Sequence, residues 1–509
     1  MGKVVFQTAH QLAQQIRDRA FSSVELLDAH LAQITQHNPQ LNAICTLDED
    51  RARTRAKQAD EALAKGENWG PLHGIPLTVK DIFETEGLRT TAGYKLLKDY
   101  IPRQDATAVA RLKAAGAIVI GKSNMAELAS DYQSTNSLFP AVNNPWNLDY
   151  TAGGSSGGSA AAIAAGLSPL ELGNDFGGSV RQPAHFCGVY SLKPTDRRIS
   201  TRGVIPEVPG CPKCIRQIMT VGCFARSIAD LWLCFSLLAG ADPLQPDVPP
   251  VPLDVPTGKP LSELRIAWMD GWEEIPVSHE IETAIQAAAQ ALQQTGARVE
   301  FWRPDRLDLA TLFRRFVQVA AFNNGYAQPR ELHSVRRVVP LLWREATQGE
   351  KALRQFFNLS QFLPSLLRPN LKAYFEALTA RDRSIIEMDR ALAPWDVWLC
   401  PVAATAAFTH RPPGTAIDID GRSIPYFLAS GGYTIPMAFT GHPAVVIPIG
   451  QTEAGLPIGL QLVGKCWREM ELLAIAEQCV GVISRSGNRT LDPFNAPTGD
   501  CAIALASAD

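Results

Sequence analysis

Three short segments carry side chains suited to hydrolytic chemistry. HGIPLTVKD places Lys80 at the end of an apolar run, GGSSGGS at 153–159 offers Ser155 and Ser156, and DFGGSVR at 175–181 offers Ser179. Glycine beside serine lets the backbone approach a substrate closely and adopt positive φ. Asp175-Phe176-Gly177-Gly178-Ser179 reads as a tight turn entering VRQPAHF. Successive N–H groups in such a turn form an anion-binding nest. If Ser179 attacks a carbonyl, the N–H groups of Phe176, Gly177, Gly178 and Ser179 are placed to hold the oxyanion. A serine hydroxyl is a poor nucleophile near neutral pH and needs an adjacent base. Taken singly, a GGS turn reads as a flexible loop and Lys80 as an exposed lysine at a strand end.

Two other motifs compete. GAIVIGKS at 116–123 fits the phosphate-loop pattern, which works when its middle is a loop that cradles phosphates. Ala-Ile-Val-Ile prefers a strand and turns its backbone into a ladder instead. Gly154-Ser155-Ser156-Gly157-Gly158 fits a nucleophile elbow centred on Ser156. That elbow needs a histidine, and His279, His333, His410 and His442 lie in no supporting context. His442, in TGHPAVV, reads as a loop-to-strand residue.

The elements that must position these groups follow from periodicity. Residues 7–66 read as helices, with Ser22 and Ser23 able to cap the second half of the first apolar-periodic stretch. From about 71 short apolar strands alternate with helices: HGIPLTVKD and AGAIVIGKS as strands, NMAELAS as a helix, GGSSGGSAAAIAAGL as a glycine loop opening a helix, SPLELGND as a strand. This alternation predicts an α/β fold with helices on both faces of a sheet. Residues 242–260 are proline-rich and read as a surface linker. Strands are expected again at ELRIAWMD, DVWLCPVA, HPAVVIPIG and PIGLQLVG, with helices at 279–296 and through 305–395. The final strands can rejoin the first sheet, so the linker need not separate domains.

Composition narrows the class. The chain has 509 residues, a net charge of −3 and ordinary apolar content, which speaks against a nucleic-acid groove or a polybasic membrane anchor. No apolar run reaches the length of a membrane span. MGKVVFQTAH lacks a signal-peptide pattern, and Phe6 replaces the Ser or Thr of a myristoylation site. A cytoplasmic location is the expectation. The ten cysteines suit reduced thiols. Cys211, Cys214, Cys223 and Cys234 lack the paired short spacing of a zinc site, and Cys234 falls in a helix that reads as buried.

The whole set resembles the amidase signature family, whose hallmark is a Gly- and Ser-rich segment followed by a GGS turn and an arginine. Here these are 153–159, 177–179 and Arg181. PLHGIPLTVKD, GKSNMAELA, NPWNLDY, DVWLCPV and TGHPAVVIPIG with GLPIGLQLVG extend the likeness over nearly the full chain, most weakly from 242 to 395. The resemblance implies one domain over 1–509, with a mixed central β-sheet covered by helices on both faces. Its signature core spans 71–240, and the variable 305–395 region forms the substrate entrance. It implies Ser179 as nucleophile, Ser155 as a bridging serine after a cis peptide bond, and Lys80 as base. Asp175 and Arg181 would stabilise the signature loop, and Ser156 would bond within the network. Lysine serves as a base only when neutral, so burial must pull its pKa below about 10.4. Ser155 would relay the proton, water would hydrolyse the acyl-enzyme, and no metal or organic cofactor is required.

The implied activity is cleavage of a small-molecule amide to an acid plus ammonia or an amine, by a monomer or homodimer. Asn174 stands where the family usually has Thr or Ser, Ala152 where Pro is common, and Ala438 where Asn is common. The Phe- and Leu-rich stretch 353–378 is expected to pack on the core, or else to form an apolar acyl channel or a cap touching a membrane peripherally. The alternative function is the glutaminase-type subunit of a tRNA-dependent amidotransferase. A catalytically dead binding protein is the third, opposed by the intact Lys80, Ser155 and Ser179.

Overall fold

The computed structural model describes residues 4–206, 215, 217–304, 307–326, 340, 343–358 and 370–484. Cys211, Cys214, His333, positions 359–369 of the Phe- and Leu-rich stretch and the C-terminal segment lie outside the described residues. The strands of the first half are β1 (Ile44–Leu47), β2 (Pro76–Lys80), β3 (Ile118–Ser123), β4 (Asn143–Asn144), β5 (Asn147–Thr151), β6 (Glu171–Asp175), β7 (Tyr190–Lys193) and β8 (Thr220–Ala225). Those of the second half are β9 (Arg265–Trp268), β10 (Arg298–Phe301), β11 (Val397–Pro401), β12 (Ile417–Ile419), β13 (Arg422–Ile424), β14 (Ala444–Gln451) and β15 (Pro457–Val463). Eleven of them make one mixed sheet in the order β1-β3-β2-β6-β8-β7-β14-β15-β11-β9-β10, and β4–β5 and β12–β13 form two small antiparallel pairs.

Every residue of β2, β6, β8, β11 and β15 is buried, as expected of strands covered on both faces. Side chains alternate between those faces. Val445 and Ile447 pack with Leu231, Phe235 and Leu473, whereas Val446 packs with Phe224 and the alanines of helix Gly157–Ala164. The proline-rich 242–260 runs mostly exposed and contributes no strand. β14 nevertheless pairs with β7, so strands before and after that segment share the sheet.

Two expected elements differ. Residues 7–66 are not wholly helical: helices Ala9–Arg17, Ser23–Leu41 and Glu49–Ala64 are interrupted by β1. Ile44 to Leu47 pair along the edge of β3, where β-branched Ile44 and Thr46 suit a strand. Ser22 caps the second helix through the Glu25 N–H. NMAELAS forms one turn, Glu127–Ala129, with Leu128 and Ala129 at positive φ. Its N–H groups go elsewhere: Ala126 to the Ser155 carbonyl, Glu127 to Thr135 and Leu128 to Ala92. Residues 118–123 of GAIVIGKS form β3 and pair with β1 and β2, so their backbone belongs to the ladder, and Lys122 donates to the Phe83 carbonyl and Thr85 Oγ1. No helix among the described residues is long and apolar enough to cross a membrane.

Candidate active site

β2 and β6 run parallel, with Thr78 opposite Glu171 and Val79 opposite Leu172. Lys80 and Asp175 therefore end their strands at the same sheet edge, the carboxyl end where open α/β sheets build sites. Lys80 is completely buried. Its Nζ donates to Ser155 Oγ, Ser156 Oγ and Asn174 Oδ1, each at 2.7 Å. Burial holds the ammonium well below the usual lysine range, and the nearby Asp175 charge, pulling the other way, is the smaller influence. An amide oxygen can only accept, so Asn174 takes one Lys80 N–H whatever the charge on the amine.

The two serine segments reach this lysine from different elements. The Gly154–Ser155 peptide is cis, and Ser156 precedes helix Gly157–Ala164, whose eight residues are all buried. That helix is made of small residues because the chain around it is close: a Cβ on Gly158 would lie 2.2 Å from the Asn124 carbonyl oxygen. Ser134 Oγ donates to the Gly153 carbonyl and accepts from the Gly157 N–H. Gln182 Oε1 accepts from the Gly154 N–H at 3.0 Å, linking the residue before Ser155 to the helix that follows Ser179.

Ser179 is 6 % exposed at the end of a turn held from below by a buried ion pair. Arg181 donates to both Asp175 oxygens, through Nη2 at 2.8 Å and Nε at 3.0 Å, and both side chains are fully buried. Burial alone would raise the Asp175 carboxyl, but Arg181, Lys193 and the Val180 N–H together hold it below its ordinary value. Arg181 also donates to the Thr434 carbonyl and to Gln461 Oε1 of β15, tying the turn to the second half of the sheet. The expected oxyanion cradle needs one correction. Gly178 N–H donates to Asp175 Oδ1 at 2.8 Å, so it points into the ion pair and away from a carbonyl at Ser179. Phe176, Gly177 and Ser179 remain as the candidate donors. Gly178 has φ +128, and a Cβ there would meet Thr434 Oγ1 at 2.3 Å; only glycine fits this turn.

Ser156 is bonded to Lys80 rather than to a histidine, unlike the serine of a nucleophile elbow. His410 bonds Asn143, and His442 bonds Asp389 and Thr440. Cys223 and Cys234 are buried neighbours on β8 and helix Ile228–Leu238. Ala152 and Ala438, the two other departures from the family pattern, are buried.

Sequence reading did not single out the residues that wall the Ser179 turn. Tyr132 Oη and Thr434 Oγ1 both donate to the Gly177 carbonyl, at 3.0 and 2.6 Å. A Cβ on Gly177 would lie 3.2 Å from Tyr132 Oη and 3.3 Å from the Phe316 ring, with Ile435 next. Phe316, from helix Leu309–Tyr326 in the variable region, also packs on Phe176 with ring centroids 5.6 Å apart. In the 353–378 stretch, Leu353 and Phe357 are buried while Leu371 and Phe375 are exposed.

Breaking the buried ion pair has a large expected effect on stability. Arg181→Ala leaves Asp175 buried without its cation, which destabilises by about 3–5 kcal/mol. The urea midpoint reads this directly; a loss under about 1 kcal/mol would show that the turn is held by other contacts.

A family model described as Amidase matches residues 25–473. A glutamyl-tRNA(Gln) amidotransferase subunit from Roseiflexus sp. (strain RS-1) is 36% identical over 473 residues, covering 90% of this chain and 92% of the relative. A 6-aminohexanoate cyclic dimer hydrolase complexed with substrate superposes with a TM-score of 0.75 at 26% identity, over 96% of this chain and 100% of that one. A structure from a vestigial protein complex, described as revealing the evolutionary origins of an s-triazine catabolic enzyme, gives a TM-score of 0.75 at 30% identity, over 93% and 98%.

Proposed function

The chain belongs to the amidase signature family, and from that premise we propose that it hydrolyses a carboxylic amide through an acyl-enzyme on Ser179. The observation that carries this reading is the buried Lys80 amine, bonded at 2.7 Å to Ser155, Ser156 and Asn174. A neutral amine has two N–H donors and one lone pair. Asn174 takes one N–H and Ser156 the other, which leaves the lone pair for the Ser155 proton. Ser155 in turn accepts the Ser179 proton as Ser179 Oγ bonds the carbonyl carbon. The oxyanion lies against the N–H groups of Phe176, Gly177 and Ser179. The tetrahedral adduct collapses, the C–N bond breaks, and the Lys80 proton returns through Ser155 to the leaving amine. Water, deprotonated along the same path, then releases the acid and restores Ser179.

The walls nearest the turn favour an apolar acyl group. Phe176, Phe316, Tyr132 and Ile435 offer rings and a branched side chain, and each buried methylene contributes about 0.8 kcal/mol, about fourfold in kcat/KM. A second reading, release of ammonia from glutamine for a partner reaction, is favoured by the relative's identity as an amidotransferase subunit. Glutamine brings an ammonium and a carboxylate, which need charged partners beside the scissile amide. The two readings separate on the purified chain given acetamide, an aryl amide, a long-chain acyl amide and glutamine. The apolar reading expects the aryl or long-chain amide to exceed acetamide by about tenfold or more in kcat/KM, a few buried methylenes' worth. Fastest turnover of acetamide would sink it, and turnover confined to glutamine would establish the second reading.

A further inference from the structure

We propose that Asp389, His442 and Cys466 form a binding site for a divalent cation of zinc's type, separate from the serine–lysine centre. The three come from different elements: Asp389 from helix Leu371–Leu392, His442 from the turn between helix Ile435–Thr440 and β14, and Cys466 from the segment just after β15. One ligand atom of each lies within 4.8 Å of the other two. His442 is fully buried, Cys466 is half-buried, and the Asp389 side chain is 53% exposed, so an ion can enter from solvent on the aspartate side.

The hydrogen bonds fix which histidine nitrogen is free. Thr440 Oγ1 donates its single hydrogen to the Pro436 carbonyl at 2.9 Å. At its 3.0 Å contact with His442 Nδ1 the hydroxyl must therefore accept, so Nδ1 carries the ring hydrogen. Nε2 then directs its lone pair at Asp389 Oδ1, 3.1 Å away. Two acceptors so close require something positive between them, either a proton or a metal ion. A tetrahedral zinc ion, with bonds of about 2.0–2.2 Å to N and O, holds such atoms a little over 3 Å apart. Cys466 Sγ, within 4.8 Å of both atoms, supplies the third ligand that a metal ion would use and a shared proton would not. An Nδ1–H that donates to an oxygen acceptor leaves Nε2 as the ligand nitrogen, the arrangement in which an outer contact orients a metal-bound histidine.

The neighbouring charges are compatible with this occupant. Lys193 is the ammonium closest in influence to both His442 and Cys466, and its Nζ is turned to the Pro194 carbonyl at 2.8 Å. Of the other acids near Cys466, Glu469 is paired with Arg198 and Asp196 with Arg381. Binding displaces one proton from Cys466 to solvent, and the dication is then balanced by one thiolate and one carboxylate. The ion would staple the long helix Leu371–Leu392 to the start of β14 and the end of β15.

The test uses the full chain stripped with a chelator and titrated with Co²⁺ as a spectroscopic stand-in, then with Zn²⁺. One equivalent of Co²⁺ is expected to produce a thiolate-to-cobalt charge-transfer band with the strong visible bands of a four-coordinate ion, and Zn²⁺ is expected to bleach both. The near-isosteric Cys466→Ser variant is expected to lose the charge-transfer band, and His442→Ala to lose stoichiometric binding. In a thermal melt Zn²⁺ should raise the Tm of the parent and leave that of Cys466→Ser nearly unmoved. No thiolate band with the parent chain, or the same band in Cys466→Ser, overturns the assignment and leaves a His442–Asp389 pair that shares only a proton.

Discussion

Ser179→Ala is expected to fold like the parent and to lose amide turnover by about 10⁴- to 10⁶-fold in kcat, the scale seen when the nucleophile of a serine hydrolase is removed. Alanine keeps the backbone N–H of position 179 and the turn set by Asp175 and Arg181. Substrate binding and part of the oxyanion cradle therefore survive, and KM should change far less than kcat. The variant separates the three serines at this centre. Ser155 and Ser156 both bond Lys80, so either of them, as nucleophile, would leave a Ser179→Ala enzyme active. Loss of less than about tenfold in kcat would remove Ser179 from that role.

Lys80→Met is expected to slow acylation by about 10²- to 10⁴-fold at neutral pH, the usual contribution of a positioned base. Methionine keeps much of the apolar stem. The pH profile is the more telling readout. Burial depresses the Lys80 pKa, so the parent's kcat/KM should rise with pH as the ammonium gives up its proton, then level off below the ordinary lysine range. In Lys80→Met that limb should vanish. The same shift acts on stability. With a folded pKa below the unfolded one, the native state binds fewer protons than the unfolded chain between the two values, so stability rises with pH across that interval. Methionine has no such titration, so the parent should gain stability relative to Lys80→Met as pH rises across that interval. A flat rate profile for the parent from pH 6 to 9, with chemistry limiting, would contradict Lys80 as the base.

Much of this geometry could be read from residue types. HGIPLTVKD and SPLELGND announce strands by their apolar runs, and parallel pairing then carries Lys80 and Asp175 to one edge. Asp175 and Arg181, six apart across a GGS turn, were legible as loop-stabilising residues only through the family resemblance; their buried ion pair gives the physical reason, since a buried carboxylate needs a cation nearby. The walls were harder to read. Tyr132 and Thr434 act on the Gly177 carbonyl from 45 and 257 positions away, and nothing in their local sequence marks such a contact. Asn174 was visible only as a departure from the family pattern; its value as a fixed acceptor for Lys80 depends on the alternation of side chains along β6. The Gly178 N–H departs from the expected cradle for a related reason: a nest motif shows how many donors a turn has, not which of them the adjacent carboxylate will claim. NMAELAS has helical composition, yet its N–H groups find partners in Ser155, Thr135 and Ala92, and these long-range bonds override local propensity.

Trapping the covalent intermediate tests the account most directly. The parent chain is mixed with an activated ester or a fluorophosphonate and quenched, and the adduct is located by intact mass and peptide mapping. A single adduct on Ser179, formed faster as pH rises and absent from Ser179→Ala, is the predicted result. An adduct on Ser155 or Ser156, or unlabelled protein that still hydrolyses amides, would contradict it.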